Sequence, residues 1–259
     1  MVEFIALPAF QDNYIWLIAD SQRQQVAVVD PGDAVPVITW LGRHPEYRLT
    51  HILITHHHRD HTGGLATLKA ATDCKAWGPG TENIAGLDRT LGDGDSLSLF
   101  GLNLQVIEVP GHTLGHIAYY CAAGADPWLL SGDTLFAGGC GRLFEGTPEQ
   151  MHSSLLKLAA LPENTRVYCA HEYTLANLRF AHAVEPDNAD IRVRMEVVEG
   201  LRAAGRMTLP SSIGLEKQTN PFLRAEQPAV VAAATTQSAQ PTQSGVQTFA
   251  AIRAWKDRF

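Results

Sequence analysis

Short apolar runs broken by turn residues fill the first two-thirds of the chain. The runs "YIWLIAD" (14–20) and "QVAVVD" (25–30) are rich in branched and aromatic residues, each stops at an acidic residue, and "PGD" follows the second. Runs of that length and composition predict strands closed by turns. "THILIT" (50–55), "LNLQVIEVP" (102–110), "HIAYYC" (116–121), "WLLSG" (128–132) and "RVYCAH" (166–171) predict further strands on the same grounds. Between them, apolar residues at helical spacing mark segments at 35–43, 64–72 and 151–161. The last has a defined start, with Thr147 as N-cap, Pro148 in the first turn and Gln150 completing a capping box.

From Tyr173 onward the rhythm changes. "TLANLRFAHAV" and "ADIRVRMEVVEGLRAAG" repeat apolar positions at helical spacing, no further strand is predicted, and "TTQSAQPTQSG" (235–245) reads as a surface loop before a final helix, "VQTFAAIRAWKDRF". The expected organisation is a mixed strand-and-helix domain over 1–172 followed by a smaller helical domain over 173–259.

Composition narrows the function. A chain of 259 residues, 45% hydrophobic and 18% charged, has enough apolar surface for one large domain with an appendage. Its formal net charge of -7 argues against nucleic acid or an anionic membrane as partner, because counterion release needs clustered Lys and Arg; a local basic pocket is still allowed. The start "MVEFIALPAFQDNY" has neither the basic opening nor the apolar core of a signal peptide, and no later run is long enough to span a bilayer. A cytoplasmic, monomeric protein is expected. Cys74, Cys121, Cys140 and Cys169 show no C-x-x-C spacing and fit reduced structural thiols.

The chemistry concentrates in "ILITHHHRDHTGG" (52–64), where an apolar run is followed by the pattern H-x-H-x-D-H. His56, His58, Asp60 and His61 are all good ligands for a divalent metal. Three more candidates stand where predicted strands end: His112 in "VIEVPGHTLGH", Asp133 in "WLLSGDTLF" and His171 in "VYCAHEYT". Loops at strand ends are where a rigid sheet presents side chains to a common point. Seven ligands are too many for one tetrahedral ion. If Asp133 bridges, one ion takes His56, His58, His112 and Asp133, and the other takes Asp60, His61, Asp133 and His171. Zinc, iron and manganese all accept this donor set, and zinc is expected. In an extended segment His57 points away from its two neighbours. His44, His51, His152 and His182 read as structural, and His116 as packing beside the cluster. Asp30 is either a turn residue or a support for a ligand.

Taken together, "THHHRDH", "PGHTLGH", "SGDTLF" and "AHEYT" resemble the metallo-β-lactamase superfamily. "PAFQDNYIWLI", "GGCGRLFEGT", "NPFLR" and the helical C-terminal part resemble, within it, the hydroxyacylglutathione hydrolases, or glyoxalase II family. The resemblance implies an α/β fold, an αββα sandwich with a smaller all-helical C-terminal domain. It also implies hydrolysis of S-(2-hydroxyacyl)glutathione, such as the lactoyl thioester of methylglyoxal detoxification. The small-molecule glutathione thioester would lie against Arg142, Phe144, Tyr173, Arg253 and Lys256. Some members have Lys where Arg142 stands and Tyr where Phe144 stands; Arg keeps the charge, whereas Phe donates no hydrogen bond.

In such an enzyme two divalent ions ionise a water near neutral pH and leave positive charge to favour the oxyanion, with Asp60 and Asp133 as the catalytic carboxylates. A thiol with a free pKa of about 8.5 leaves without a dedicated acid. Two rivals follow from the same residues. A glutathione persulfide dioxygenase would use a single iron and fewer ligands, and a non-enzymatic metal-binding module would turn over no thioester.

Overall fold

The computed structural model describes residues 2–124 and 126–259. Among these, the strands are β1 (Val2–Ala9), β2 (Asn13–Asp20), β3 (Gln25–Val29), β4 (Arg48–Leu53), β5 (Lys75–Pro79), β6 (Arg89–Leu91), β7 (Ser96–Leu99), β8 (Leu102–Glu108), β9 (Ile117–Cys121), β10 (Trp128–Gly132), β11 (Leu135–Phe136), β12 (Gly139–Cys140), β13 (Arg166–Cys169) and β14 (Ser211–Ser212). The helices are α1 (Ala34–Arg43), α2 (Arg59–Thr62), α3 (Leu65–Thr72), α4 (Pro148–Ala159), α5 (Thr174–Val184), α6 (Ala189–Ala203), α7 (Ile213–Thr219), α8 (Pro228–Ser238) and α9 (Gly245–Lys256).

Two mixed six-stranded sheets form, in the orders β1-β2-β3-β4-β5-β6 and β14-β13-β10-β9-β8-β7, and β11 pairs with β12 in a separate hairpin. Residue alternation explains how they stack. On β2, Trp16 and Ile18 join Ile117, Tyr119, Trp128 and Leu130 of the second sheet in one buried cluster between the sheets. The alternate residues Ile15, Leu17 and Ala19 pack outward with Val37 of α1 and Leu65 and Leu68 of α3. Ala118, Tyr120 and Leu129 on the second sheet's outer face meet Met151, Leu155 and Leu158 of α4, Phe180 of α5, and Phe249 and Ile252 of α9. Strands buried on both faces read as unbroken apolar runs, and four layers, helix, sheet, sheet and helix, result.

The expected capping box of α4 is present: Gln150 N donates to Thr147 Oγ1 at 3.3 Å and Thr147 N donates to Gln150 Oε1 at 2.9 Å. Two expectations for the C-terminal part need correction. Ser211 and Ser212 do form a strand, adding an antiparallel edge to β13, so the second sheet draws on both parts of the chain. The tract at 235–245 is not all loop, since α8 continues to Ser238 before its C-cap Ala239 turns left-handed; the alanine-rich run before it carries helix propensity through the threonines. Among the described residues, no helix is long and apolar enough to cross a membrane.

Candidate metal centre

Four strand ends deliver the candidate ligands to one edge of the sandwich. The segment after β4 carries His56 and His58 and runs into α2 with Asp60 and His61; His112 follows β8, Asp133 follows β10 and His171 follows β13. The turn into Asp133 depends on Gly132, whose φ of +49° is left-handed and where a Cβ would come within 2.5 Å of Thr55 Oγ1 and 2.7 Å of the His116 ring.

The donors converge as two groups. His56 Nε2 lies 3.1 Å and His112 Nε2 3.0 Å from His58 Nδ1. In the second group Asp60 Oδ2 lies 3.4 Å from His61 Nε2 and 3.6 Å from His171 Nε2. Asp133 Oδ2 stands between them, 3.4 Å from His112 Nε2, 3.5 Å from His61 Nε2 and 3.3 Å from His171 Nε2. Nitrogens bound to a tetrahedral zinc at its usual bond length stand about 3.3 Å apart, so these spacings suit a divalent ion. Among the described residues, both His61 ring nitrogens and Asp133 Oδ1 are buried without a hydrogen-bond partner, and a divalent ion among these donors would satisfy His61 Nε2.

The far side of each ring fixes which nitrogen is free. His112 Nδ1 donates to the Arg142 carbonyl at 2.8 Å, and His171 Nδ1 donates to Asp12 Oδ1 at 2.8 Å. Thr55 Oγ1 donates to Asp30 Oδ2 at 2.7 Å, which leaves that hydroxyl to accept from His56 Nδ1 at 3.0 Å. His61 Nδ1 faces Asp30 Oδ2 at 3.1 Å. For His56, His112 and His171 the proton is thereby placed on Nδ1 and the Nε2 lone pair on the common centre, as metal-binding imidazoles require, whereas His61 Nδ1 faces the Asp30 carboxylate without an aligned hydrogen bond. His58 alone presents Nδ1. His116 is no donor to the centre: its Nε2 accepts the Asp133 amide at 3.1 Å, which holds that loop.

Burial and charge divide the rings by affinity for protons. Burial first, and then neighbouring imidazoles, push His56 well below the ordinary histidine range; burial also lowers His58 and His112. For His61, burial acts to lower the pKa, but Asp133 and Asp30 outweigh it and hold it well above the ordinary value. His171 is raised against its burial by Asp133. Burial would raise Asp133, yet His61 and His171 keep it well below the carboxylate range.

The cluster forms the floor of a 630 Å³ cleft whose walls include Arg142, Phe144, Tyr173, Arg253 and Lys256. Phe144 is 60% exposed and packs edge-on against His58 and His112 at ring distances of 5.5 and 5.3 Å. Tyr173 stacks on His171 at 4.7 Å, and burial, with Asp12 beside it, raises its hydroxyl pKa. The cations differ in freedom. Arg253 is buried, donates to the Cys140 carbonyl and to Asp257 Oδ1, each at 3.0 Å, and lies 5.0 Å over the Phe222 ring. Lys256 reaches the Ala176 carbonyl at 3.5 Å and lies 5.4 and 5.7 Å over the Phe180 and Phe259 rings, and Arg142 is exposed beside Asp257.

Two supports escaped the sequence reading. Asp12 orients His171, and Asn13 Nδ2 donates to Asp60 Oδ2 at 3.0 Å. Both stand where β2 begins and bridges to the second sheet, with Tyr14 N donating to the Ala170 carbonyl at 2.7 Å.

Residues 10–171 match the metallo-beta-lactamase superfamily, which sets the class to which the sandwich and its strand-end cluster belong. Residues 172–259 match the hydroxyacylglutathione hydrolase C-terminus. Proteins named hydroxyacylglutathione hydrolase from Pseudomonas savastanoi pv. phaseolicola and Pseudomonas aeruginosa are 58% and 57% identical to the chain, covering all of both partners. The chain belongs to the hydroxyacylglutathione hydrolase family. Among solved structures, ETHE1 from Myxococcus xanthus shares the fold at TM-score 0.68 and 23% identity, covering 98% of this chain and 91% of the other. A protein crystallised in a di-iron-bound form superposes at TM-score 0.58 and 26% identity, covering 85% and 99%.

Proposed function

We propose that the protein hydrolyses S-(2-hydroxyacyl)glutathione thioesters, such as S-D-lactoylglutathione, to glutathione and a 2-hydroxy acid. The observation that carries this reading is the continuity of the cleft: donors for two cations form its floor, and Arg142, Arg253 and Lys256 stand on its wall in a chain of net charge -7. A tripeptide with two carboxylates needs such local positive charge.

His56, His58 and His112 would hold one divalent ion and Asp60, His61 and His171 the other, with Asp133 shared; zinc is our assignment. Two ions held there supply a nucleophile from water at neutral pH and a counter-charge for the tetrahedral oxyanion. The chain's own groups do the rest. Asp60 is held ionised because its contacts with His61 and Asn13 outweigh its burial, so its oxygens can orient the attacking water. Asp133, also ionised, keeps His61 and His171 facing inward. Phe144, at the mouth, supplies an apolar wall in place of a hydrogen bond. The leaving sulfur departs as thiolate with little assistance.

Residues 1–172 act here as the catalytic part and 173–259 as the part that supplies Arg253 and Lys256. The two donor groups support a binuclear centre over a single-iron dioxygenase. The four free, buried cysteines suit a reducing compartment, and we take the enzyme to work as a cytoplasmic monomer in methylglyoxal detoxification.

Incubation of the purified protein with S-D-lactoylglutathione should release free thiol continuously, and much faster than with a lactoyl thioester lacking the glutathione carboxylates. Absence of thiol release from the metal-loaded protein would overturn the reading in favour of a non-enzymatic metal binder.

A further inference from the structure

Three consecutive residues of the loop that carries His112 are gripped by two carboxylates from elsewhere in the chain. Glu82 accepts hydrogen bonds from Thr113 Oγ1 and from Gly115 N, the latter at 3.2 Å. Glu145 Oε2 accepts from Leu114 N at 2.9 Å. The same two carboxylates meet on one ring: His57 Nδ1 lies 3.0 Å from Glu82 Oε2, and His57 Nε2 lies 3.3 Å from Glu145 Oε1. The fit is close, since a Cβ at Gly115 would stand 2.5 Å from Glu82 Cγ. The Glu82 side chain is 4% exposed, against 36% for His57 and 34% for Glu145, so Glu82 is the sheltered anchor and the His57–Glu145 contact its more open arm.

The arrangement joins three loops that meet at the cleft. His57 sits between His56 and His58, and Glu145 directly follows Phe144. The segment from 141 to 146 is already tied to the 111–112 backbone, with Phe144 N donating to the His112 carbonyl at 3.3 Å and Gly146 N to the Gly111 carbonyl at 3.1 Å. Glu145 adds the tie from that segment to the histidine loop. None of His57, Glu82 and Glu145 lines the cleft.

We propose that His57, Glu82 and Glu145 form a latch that positions Phe144 and Arg142 over the donor cluster. The inference rests on the hydrolase reading for what the positioned loop binds, but not for the latch itself. The three are positioning residues, with no contact to the reacting atoms. Opening the latch loosens the loops at 111–116 and 141–146 together, and because the second carries Arg142 and Phe144, which hold substrate remote from the scissile bond, KM responds more than kcat.

Hydrogen–deuterium exchange on the metal-loaded protein tests this without any substrate. In His57→Ala and in Glu145→Ala, amides of 111–116 and 141–146 are expected to exchange about threefold faster, the loss of one partly exposed ion pair. The double variant is expected to exchange no faster than either single one, since one latch opens once. Glu145→Gln, which keeps an oxygen for Leu114 N, falls between. Metal content stays at the wild-type value, and KM for S-D-lactoylglutathione rises about fivefold with kcat changed less than twofold. Unchanged exchange at 141–146 in His57→Ala, or additive effects of the two single substitutions, would overturn the latch. A wild-type protein that fails to cleave the thioester would instead overturn the proposed function and leave the exchange result standing.

Discussion

Asp12 reaches from the first sheet to the end of the second and holds His171, with Oδ1 2.8 Å from Nδ1 across a separation of 159 residues. The contact fixes the proton on Nδ1 and turns Nε2 to the cluster, so the geometry of one donor is set by the packing of two sheets.

Asp12→Ala is therefore expected to weaken the ion at the His61 and His171 group by roughly 10- to 100-fold while sparing the other, the usual effect of removing the partner of a metal-binding imidazole. Competition with a chelator, followed by elemental analysis, measures it. Equal loss of both ions, or of neither, would show that Asp12 does not orient this donor.

Acid should empty the two groups in order. Protons and metal compete for the same nitrogens. His56, His58 and His112 have pKa values lowered by burial and so resist protonation below the ordinary histidine range, whereas His61 and His171 are raised, against their burial, by Asp133. As pH falls, protons take the raised pair first. Metal retained per chain after dialysis from pH 8 downward is expected to drop in two steps, the first from the His61 and His171 group. One concerted step would contradict the division.

The two C-terminal cations should separate into different roles. Lys256 is held by one long hydrogen bond and two aromatic faces and, among the described residues, has no ion pair, so Lys256→Ala is expected to raise KM by roughly 5-fold, about 1 kcal/mol of ion pairing, with kcat preserved. Arg253 is buried and bonded to the Cys140 carbonyl and Asp257, so Arg253→Ala should also lower folding stability by about 2 kcal/mol. Thermal unfolding and steady-state kinetics on both variants decide it; equal stability losses would contradict the difference in burial.

Much of this was legible in the chain because the informative patterns are local. The H-x-H-x-D-H run puts four donors into six positions, and His112, Asp133 and His171 each follow a strand-like run, mostly buried in β10 and β13 and alternating in β8. The capping box of α4 is equally local. Asp12, Asn13 and Glu82 were not legible, because each acts on a residue brought near by the stacking of sheets, and no spacing announces it. The strand β1 was missed because its residues are only partly buried on the sheet edge, where Pro8 is tolerated without breaking the ladder. The pair Ser211–Ser212 is too short and too polar to read as a strand, and it forms because β13 presents an open edge. The resemblance set Arg253 beside Lys256 as a substrate contact, and only the structure shows it as a fixed cation, buried over Phe222 and bonded to the Cys140 carbonyl and Asp257.

The central claim is that one carboxylate, Asp133, holds two ions over which a glutathione thioester is cleaved. The direct measurement is to titrate metal-free wild type and Asp133→Asn with zinc while following thiol release from S-D-lactoylglutathione and bound metal in the same samples. Wild-type turnover is expected to reach its plateau at two ions per chain. Asp133→Asn is expected to bind both ions more weakly and to lose at least about two orders of magnitude in rate, because the shared oxygen no longer carries full charge. A plateau at one ion, or an Asp133→Asn protein with wild-type occupancy and rate, would contradict the claim.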